Sequence, residues 1–350
     1  MIQTTRYASV LAKIGSERSK LLNEAKLKAL AENKSLTEFA VQLRDTSYQE
    51  QIFKLSLPLT SQKLERAFNE NLIATFIKII KYSPKKARKY LNLYLLRFEI
   101  EHIKALMKAT NAKLTPEQKS LKIYFSVEDY FRRRSVMEEA VKASTPSQII
   151  HALKGTAYFL PLSMGLKNYE ERASTAFFDI FIDKAFYEKL YEGYLSLSKR
   201  EQLYANFYAS VENDSFTLLT LLRGKALNYE PNWLRLVIPQ NYFNLNKSSV
   251  EALVTAIDFE AALKIILESY YAKFFAKGQN PEETIATAEK IFKKEVNQHA
   301  RSSAISETFN IGSPLAFITQ KQTEVYNLIV LSLGVDSVMK PEEIRNQLLI

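Results

Sequence analysis

One stretch of this chain is written three times, and that repetition limits the folds open to it. Residues 99–117 (EIEHIKALMKATNAKLTPE), 214–232 (DSFTLLTLLRGKALNYEPN) and 324–342 (EVYNLIVLSLGVDSVMKPE) align without a gap, 115 and 110 residues apart. An acid opens each copy (Glu99, Asp214, Glu324). A polar residue stands three positions on (His102, Thr217, Asn327), and a proline closes the copy (Pro116, Pro231, Pro341). Apolar residues fall at Ile103, Leu218 and Leu328 and again at Leu106, Leu221 and Leu331, the spacing of one helix face. Gly224 and Gly334 read as helix stops, because a glycine just past a helix takes the left-handed conformation without a Cβ clash. Ala109 occupies that place in the first copy, so its stop is built differently. Each proline is placed to open the next helix: its fixed φ suits the first helical position, and its missing N–H has no partner to lose there. The acids of TPEQ and KPEE complement the dipole of those helices.

A second motif precedes the first. LRDTSY at 43–48 and LKGTAY at 153–158 share Leu, Thr and Tyr at equal offsets and end similar amphipathic runs, 35–48 and 144–158. A worn third copy is read at 248–263 (SSVEALVTAIDFEAAL). It places Ile257 with Leu43 and Leu153, and Glu260 and Ala262 where Thr and Tyr stood.

These repeats predict an all-α protein of three similar units of about 110 residues: 1–114, 115–235 and 236–350, with joints near 111–120 and 228–246. Helices are expected near 5–32, 35–46, 61–81 and 85–109; near 126–142, 145–157, 170–196 and 199–223; and near 248–257, 259–276, 281–302 and 314–333. No segment sustains the alternation of a strand. Only 8 glycines and 10 prolines interrupt 350 residues, which suits long helices. A unit of this length exceeds an ordinary solenoid repeat of about 20–50 residues. Three such units can instead close around an axis and leave a hollow.

The search for chemistry yields little. The absence of cysteine excludes disulfides, thiolate zinc sites and thiol catalysis. His102, His151 and His299 show no metal-ligand spacing, and His102 is read as a packing or surface residue because it shares its helix position with Asn327. The glycines form no dinucleotide or phosphate loop, and no nucleophile elbow occurs. No cofactor, metal or catalytic residue is expected. The opening MIQTTRYASVLAKIGSERSK lacks the apolar core of a secretory leader, and the longest uncharged run, 308–320, is too short to span a bilayer. A soluble or peripheral protein is expected.

The 19 Tyr and 21 Phe gather in YFSVEDYF (124–131), AFFDIFIDKAFYEKLYEGY (176–194) and YYAKFF (270–275), read as core. Acids balance bases in these patches, against a nucleic-acid stacking groove. The net charge of +10 favours anionic partners, yet 38 acids are mixed among the 48 bases. The densest basic clusters, KYSPKKARKY (81–90) and FRRRS (131–135), are read as solvated.

Three units, LRDTSY early, LLRFEIEHIKALMK closing the first unit and QTEVYNLIVLSLGVDSVMKPEEIRNQLL near the end together resemble the C subunit of the archaeal and bacterial V/A-type rotary ATPases, the counterpart of the d subunit of eukaryotic V-ATPases. The resemblance covers essentially the whole chain. It departs in the third unit, where Ile329 and LGV (333–335) replace the family's basic residues and Arg-Gly-Lys, and in the first, where His102 stands for the common Asn. The resemblance implies a funnel of three helical domains on the cytoplasmic face of the membrane. That funnel sits on the proteolipid ring, receives the foot of the central stalk and turns with the ring, without catalytic residues or cofactor. Arg97, Glu99, Lys104, Arg223, Glu324 and Asn327, taken as exposed polar positions on the repeated helix, are the candidate partner contacts. The alternative readings are a basic helical-repeat protein that binds nucleic acid or serves as a scaffold, and an enzyme whose site is assembled from distant helices.

Overall fold

The computed structural model describes residues 2–276, 278–306 and 308–350. Helices make up 74% of it and no strand occurs among the described residues. The repeated stretch lies in three long helices, Lys85–Asn111, Lys199–Ala226 and Gly312–Asp336, termed here the closing helices. The chain divides into two compact units: residues 1–91 with 293–350, and residues 92–292.

Each unit is built on aromatic and aliphatic burial. In the first, the Ser61–Tyr82 helix packs along the Gly312–Asp336 closing helix. Phe68 lies between Phe39 and the edge of Tyr48, with ring centroids 6.4 and 5.4 Å away. In the second, Phe177, Phe178, Phe181 and Phe186 of the Ala176–Leu195 helix are buried, and Phe274 stacks on Phe292 at 4.4 Å. The aromatic patches at 176–194 and 270–275 are therefore mostly core, with Tyr270 left exposed.

Several expected helices are divided. The 5–32 segment breaks into Ile2–Arg18 and Glu24–Leu30, where the Asn23 side chain accepts from the Lys26 amide and caps the second helix. The 170–196 segment breaks at Ala173, which takes φ +53°, into Phe159–Arg172 and Ala176–Leu195. The 259–276 segment stops at Leu267.

The closing helices end differently from the expectation. Gly224 and Gly334 lie inside their helices rather than past them. The residues that turn left-handed stand four positions on: Lys113, Asn228 and Val338, with φ of +56, +54 and +54°. Around each, two amides reach back in one pattern. Lys113 donates to Thr110 O and Leu114 to Ala109 O; Asn228 to Lys225 O and Tyr229 to Gly224 O; Val338 to Val335 O and Met339 to Gly334 O. This is the paired 5→2 and 6→1 closure of a Schellman end. The two glycines serve a close approach instead. A Cβ on Gly334 would meet Ile344 Cγ1 at 2.6 Å, and one on Gly224 would run into Leu234. Leu234 and Ile344 belong to the short helices Pro231–Val237 and Pro341–Arg345, which the closing prolines open as expected.

Candidate functional site

The acid that opens each repeated stretch lies midway along its closing helix and is gripped from two sides. Tyr48 donates its hydroxyl to Glu324 Oε1 at 2.5 Å, Tyr158 donates to Glu99, and Tyr271 donates to Asp214 Oδ2 at 2.7 Å. From the other side come donors of the turn that starts a following helix. For Glu324 this is the Leu22 amide, joined by Lys321 Nζ at 2.7 Å from its own helix. For Glu99 it is the guanidinium of Arg133, with Nε 2.7 Å from Oε1. For Asp214 it is three successive amides, Phe243, Asn244 and Leu245, at 3.0, 2.7 and 3.3 Å. Residues 23, 133 and 246 are the N-caps of those following helices, so each grip uses the same place in the repeat. The first unit contains the Glu324 grip and the second contains the other two.

The third tyrosine corrects the sequence reading of a worn copy at 248–263. Ile257 sits in a loop, 90% exposed. The true copy is 258–271: Asp258 caps its helix as Ser35 and Thr145 cap theirs, and Ile266, Ser269 and Tyr271 stand where Leu, Thr and Tyr stood. The hydroxyls of Thr46, Thr156 and Ser269 each donate to the carbonyl three residues back, at 2.6–2.7 Å. Each then accepts the amide of its tyrosine. The motif is thus a turn that aims a phenol at a buried carboxylate.

The polar residue three positions after the acid also holds the chain's own backbone. Asn327 accepts from the Leu349 amide at 2.8 Å and donates to its carbonyl at 3.2 Å. His102 Nε2 accepts from the Tyr124 amide at 3.2 Å, so in the neutral ring Nδ1 bears the proton it donates to Glu128, 2.6 Å away. Tyr124 and Leu349 are equivalent in the repeat, and the residue between them in register is Pro239, which has no N–H. Thr217 accordingly turns its hydroxyl to the Asn213 carbonyl.

The six candidate contacts therefore separate. Glu99, Glu324 and Asn327 are buried and fully engaged inside the chain, contrary to their expected exposure, because they lie on the helix face that the grips cover. Lys104 is nearly buried between Asp183 at 2.6 Å and Glu101 at 2.9 Å; burial opposes its charge, but the two carboxylates outweigh it and raise its pKa. Arg97 is one-third exposed and pairs with Glu212 at 2.6 Å, its own equivalent in the next copy. Burial opposes its charge too, and Glu212 more than restores it. Arg223 is about half exposed, pairs with Glu289, and lines an apolar cleft of about 340 Å³ with Ile180, Phe216 and Trp233. Two arginines of the FRRRS cluster are paired within the chain, Arg133 with Glu99 and Arg134 with Asp129, while Arg132 is exposed.

Burial and the adjacent carboxylates raise the phenol pKa of Tyr48, Tyr158 and Tyr271 above the ordinary value of about 10. A raised folded pKa favours the native state below the unfolded pKa, and that advantage is lost as pH rises through the folded value. The protein should therefore destabilise from about pH 10 upward. Phenolate absorbance at 295 nm should show at least these three tyrosines ionising only together with loss of helical circular dichroism. Ionisation of all 19 before unfolding would contradict the grips.

Each repeated carboxylate is thus spent on binding another segment of its own helical chain, and the chain has relatives. A family described as the ATP synthase (C/AC39) subunit matches residues 10–347, and the chain belongs to that family. Among curated proteins it is similar to the A-type ATP synthase C subunit of Methanocaldococcus jannaschii, 27% identical across 100% of this chain and 88% of that one. The subunits of the same name from Thermococcus onnurineus and Pyrococcus abyssi are each 25% identical across 97% of this chain, and it covers 89% and 90% of them. Among the described residues, no helix is long and apolar enough to cross a membrane.

Proposed function

We propose that this chain is the non-catalytic coupling subunit of a V/A-type rotary ATPase. Its three units, 1–114, 115–235 and 236–350, form a stiff socket at the cytoplasmic face of the membrane. The socket sits on the proteolipid ring, receives the central stalk and passes torque between them. The observation that carries this reading is the order of the grips. Each acid takes the tyrosine of the following copy, and the last acid takes the first tyrosine, so every copy is latched to another. A torque-bearing part has to resist shear between its units, and buried charge-assisted hydrogen bonds supply that resistance with defined geometry. Glu99, Lys104, Glu324 and Asn327 act in this reading as internal latches. Arg223, beside the Trp233 cleft, and Arg97 are the contacts offered to the stalk or ring.

Size-exclusion co-elution tests the proposal. The purified chain should co-elute with the cognate detergent-solubilised ring and with the central-stalk subunits, and the ring complex should weaken as salt rises. A chain that stays alone beside both partners overturns it. Charge reversal at Arg223, about half exposed, should weaken assembly without unfolding the chain, and intact assembly would remove it from the contact surface; Arg97, paired with Glu212, is tested by Arg97→Lys, which keeps the charge beside that carboxylate.

A further inference from the structure

The KYSPKKARKY cluster remains unused by anything described above. Lys81, Lys85, Lys86, Arg88 and Lys89 are all exposed, at the corner where the Ser61–Tyr82 helix ends and the Lys85–Asn111 helix begins. No carboxylate occurs in the sequence from residue 71 to residue 98. Among the described residues, no carboxylate lies in ion-pair range of Lys81, Lys85, Lys86 or Lys89. Glu17 is already taken by Lys13, Lys20 and Lys78. Arg88 spends its fork on backbone, donating to the carbonyls of Lys81 and Ser83 at 2.8 and 3.2 Å. It thereby caps the end of the Ser61–Tyr82 helix, where Lys81 also complements the negative helix terminus. Lys85, Lys86 and Lys89 have no such role. They crowd the positive end of the Lys85–Asn111 helix, whose first turn carries no acid, and there cations are unfavourable. Beside them the ring of Tyr82 is 51% exposed.

We propose that this corner is a docking surface for an anionic phospholipid bilayer. The three surplus lysines supply mobile point charges, which suit a fluid layer of headgroups better than the bidentate geometry that arginine gives a fixed carboxylate or phosphate. The half-exposed tyrosine adds a ring with an apolar body and a polar tip, the side chain enriched at membrane interfaces. An acid-poor patch at a helix start that repels itself is relieved by an anionic plane. The inference rests on this charge distribution and not on the coupling reading, and vesicles contain no ring, so the two tests fail separately.

The test is co-sedimentation of the full chain with phosphatidylcholine vesicles, with and without phosphatidylglycerol. Binding should require phosphatidylglycerol and fall with salt. Each neutralised lysine should weaken it by about fivefold, so Lys85→Gln, Lys86→Gln and Lys89→Gln together should cost about a hundredfold. A control carrying Lys142→Gln, Lys154→Gln and Lys264→Gln, all exposed positions with the same loss of charge, should bind as the parent does. Equal losses in both variants would reduce the effect to net charge and overturn the proposal. Failure of the parent chain to bind would overturn it, as would capture by poly-glutamate but not by vesicles, which would reassign the corner to an acidic protein.

Discussion

Replacing Glu324 with leucine should destabilise the protein by about 3–5 kcal/mol, the cost of removing one partner from a buried ion pair. The carboxylate holds Lys321 at 2.7 Å, the Tyr48 hydroxyl at 2.5 Å and the Leu22 amide, and both Lys321 and Glu324 side chains are 4% exposed. Without it an ammonium is left in the core, 4.1 Å from the Tyr48 ring centroid. A second substitution, Lys321→Met, should recover the share owed to that unpaired charge. About 1–3 kcal/mol should remain for each donor still without an acceptor. Denaturant midpoints at constant slope would measure both steps. A midpoint shift worth less than about 0.5 kcal/mol, the range of an ordinary surface change, would mean that the grip does not hold the unit together.

Asp214→Ala should cost about 3 kcal/mol or more, by a different route. Among the described residues, no cation pairs with this carboxylate. It serves the amides of Phe243, Asn244 and Leu245, the hydroxyl of Tyr271 and the side-chain amide of Asn213. Five donors would lose this carboxylate together, three of them successive backbone amides. The segment that joins the Pro231–Val237 and Lys247–Thr255 helices has no ladder of its own to replace it. Limited proteolysis should therefore cut near residues 239–246 in Asp214→Ala and spare the parent chain. Asp214→Asn, which keeps one acceptor oxygen, should lose less. Equal resistance of all three chains would show that the loop is held by other means.

Much of this is legible in the sequence. The closing helices, the acids midway along them and the prolines that start the next helix are visible because one backbone geometry selects one residue type at each place. The helix ends mislead for a physical reason. Glycine signals both a left-handed turn and a close approach, and sequence does not separate them. Lys113, Asn228 and Val338 make the turns, and the side chains of Leu234 and Ile344 exclude a Cβ at the two glycines. The third tyrosine is hidden because its hydroxyl-bearing partner is Ser269 and its anchor Ile266, with 113 rather than 110 residues since the second copy. A search for any hydroxyl residue two positions before a tyrosine finds it. The acids pass for surface contacts because their partners lie 57, 59 and 276 residues away, where no local pattern points.

The last of those separations bears on how the protein is made. Residues 92–292 are one continuous segment, and their unit can pack while the rest is still being synthesised. The other unit cannot. Its core needs the Gly312–Asp336 helix, so residues 1–91, Phe39, Tyr48 and Phe68 among them, must wait until that helix has left the ribosome. Contacts of such long range are slow to form, because the intervening loop must be closed before they return any stability. Residues 1–91 thus emerge before the segment 92–292 and are buried after it, and they are the ones that depend most on protection during synthesis.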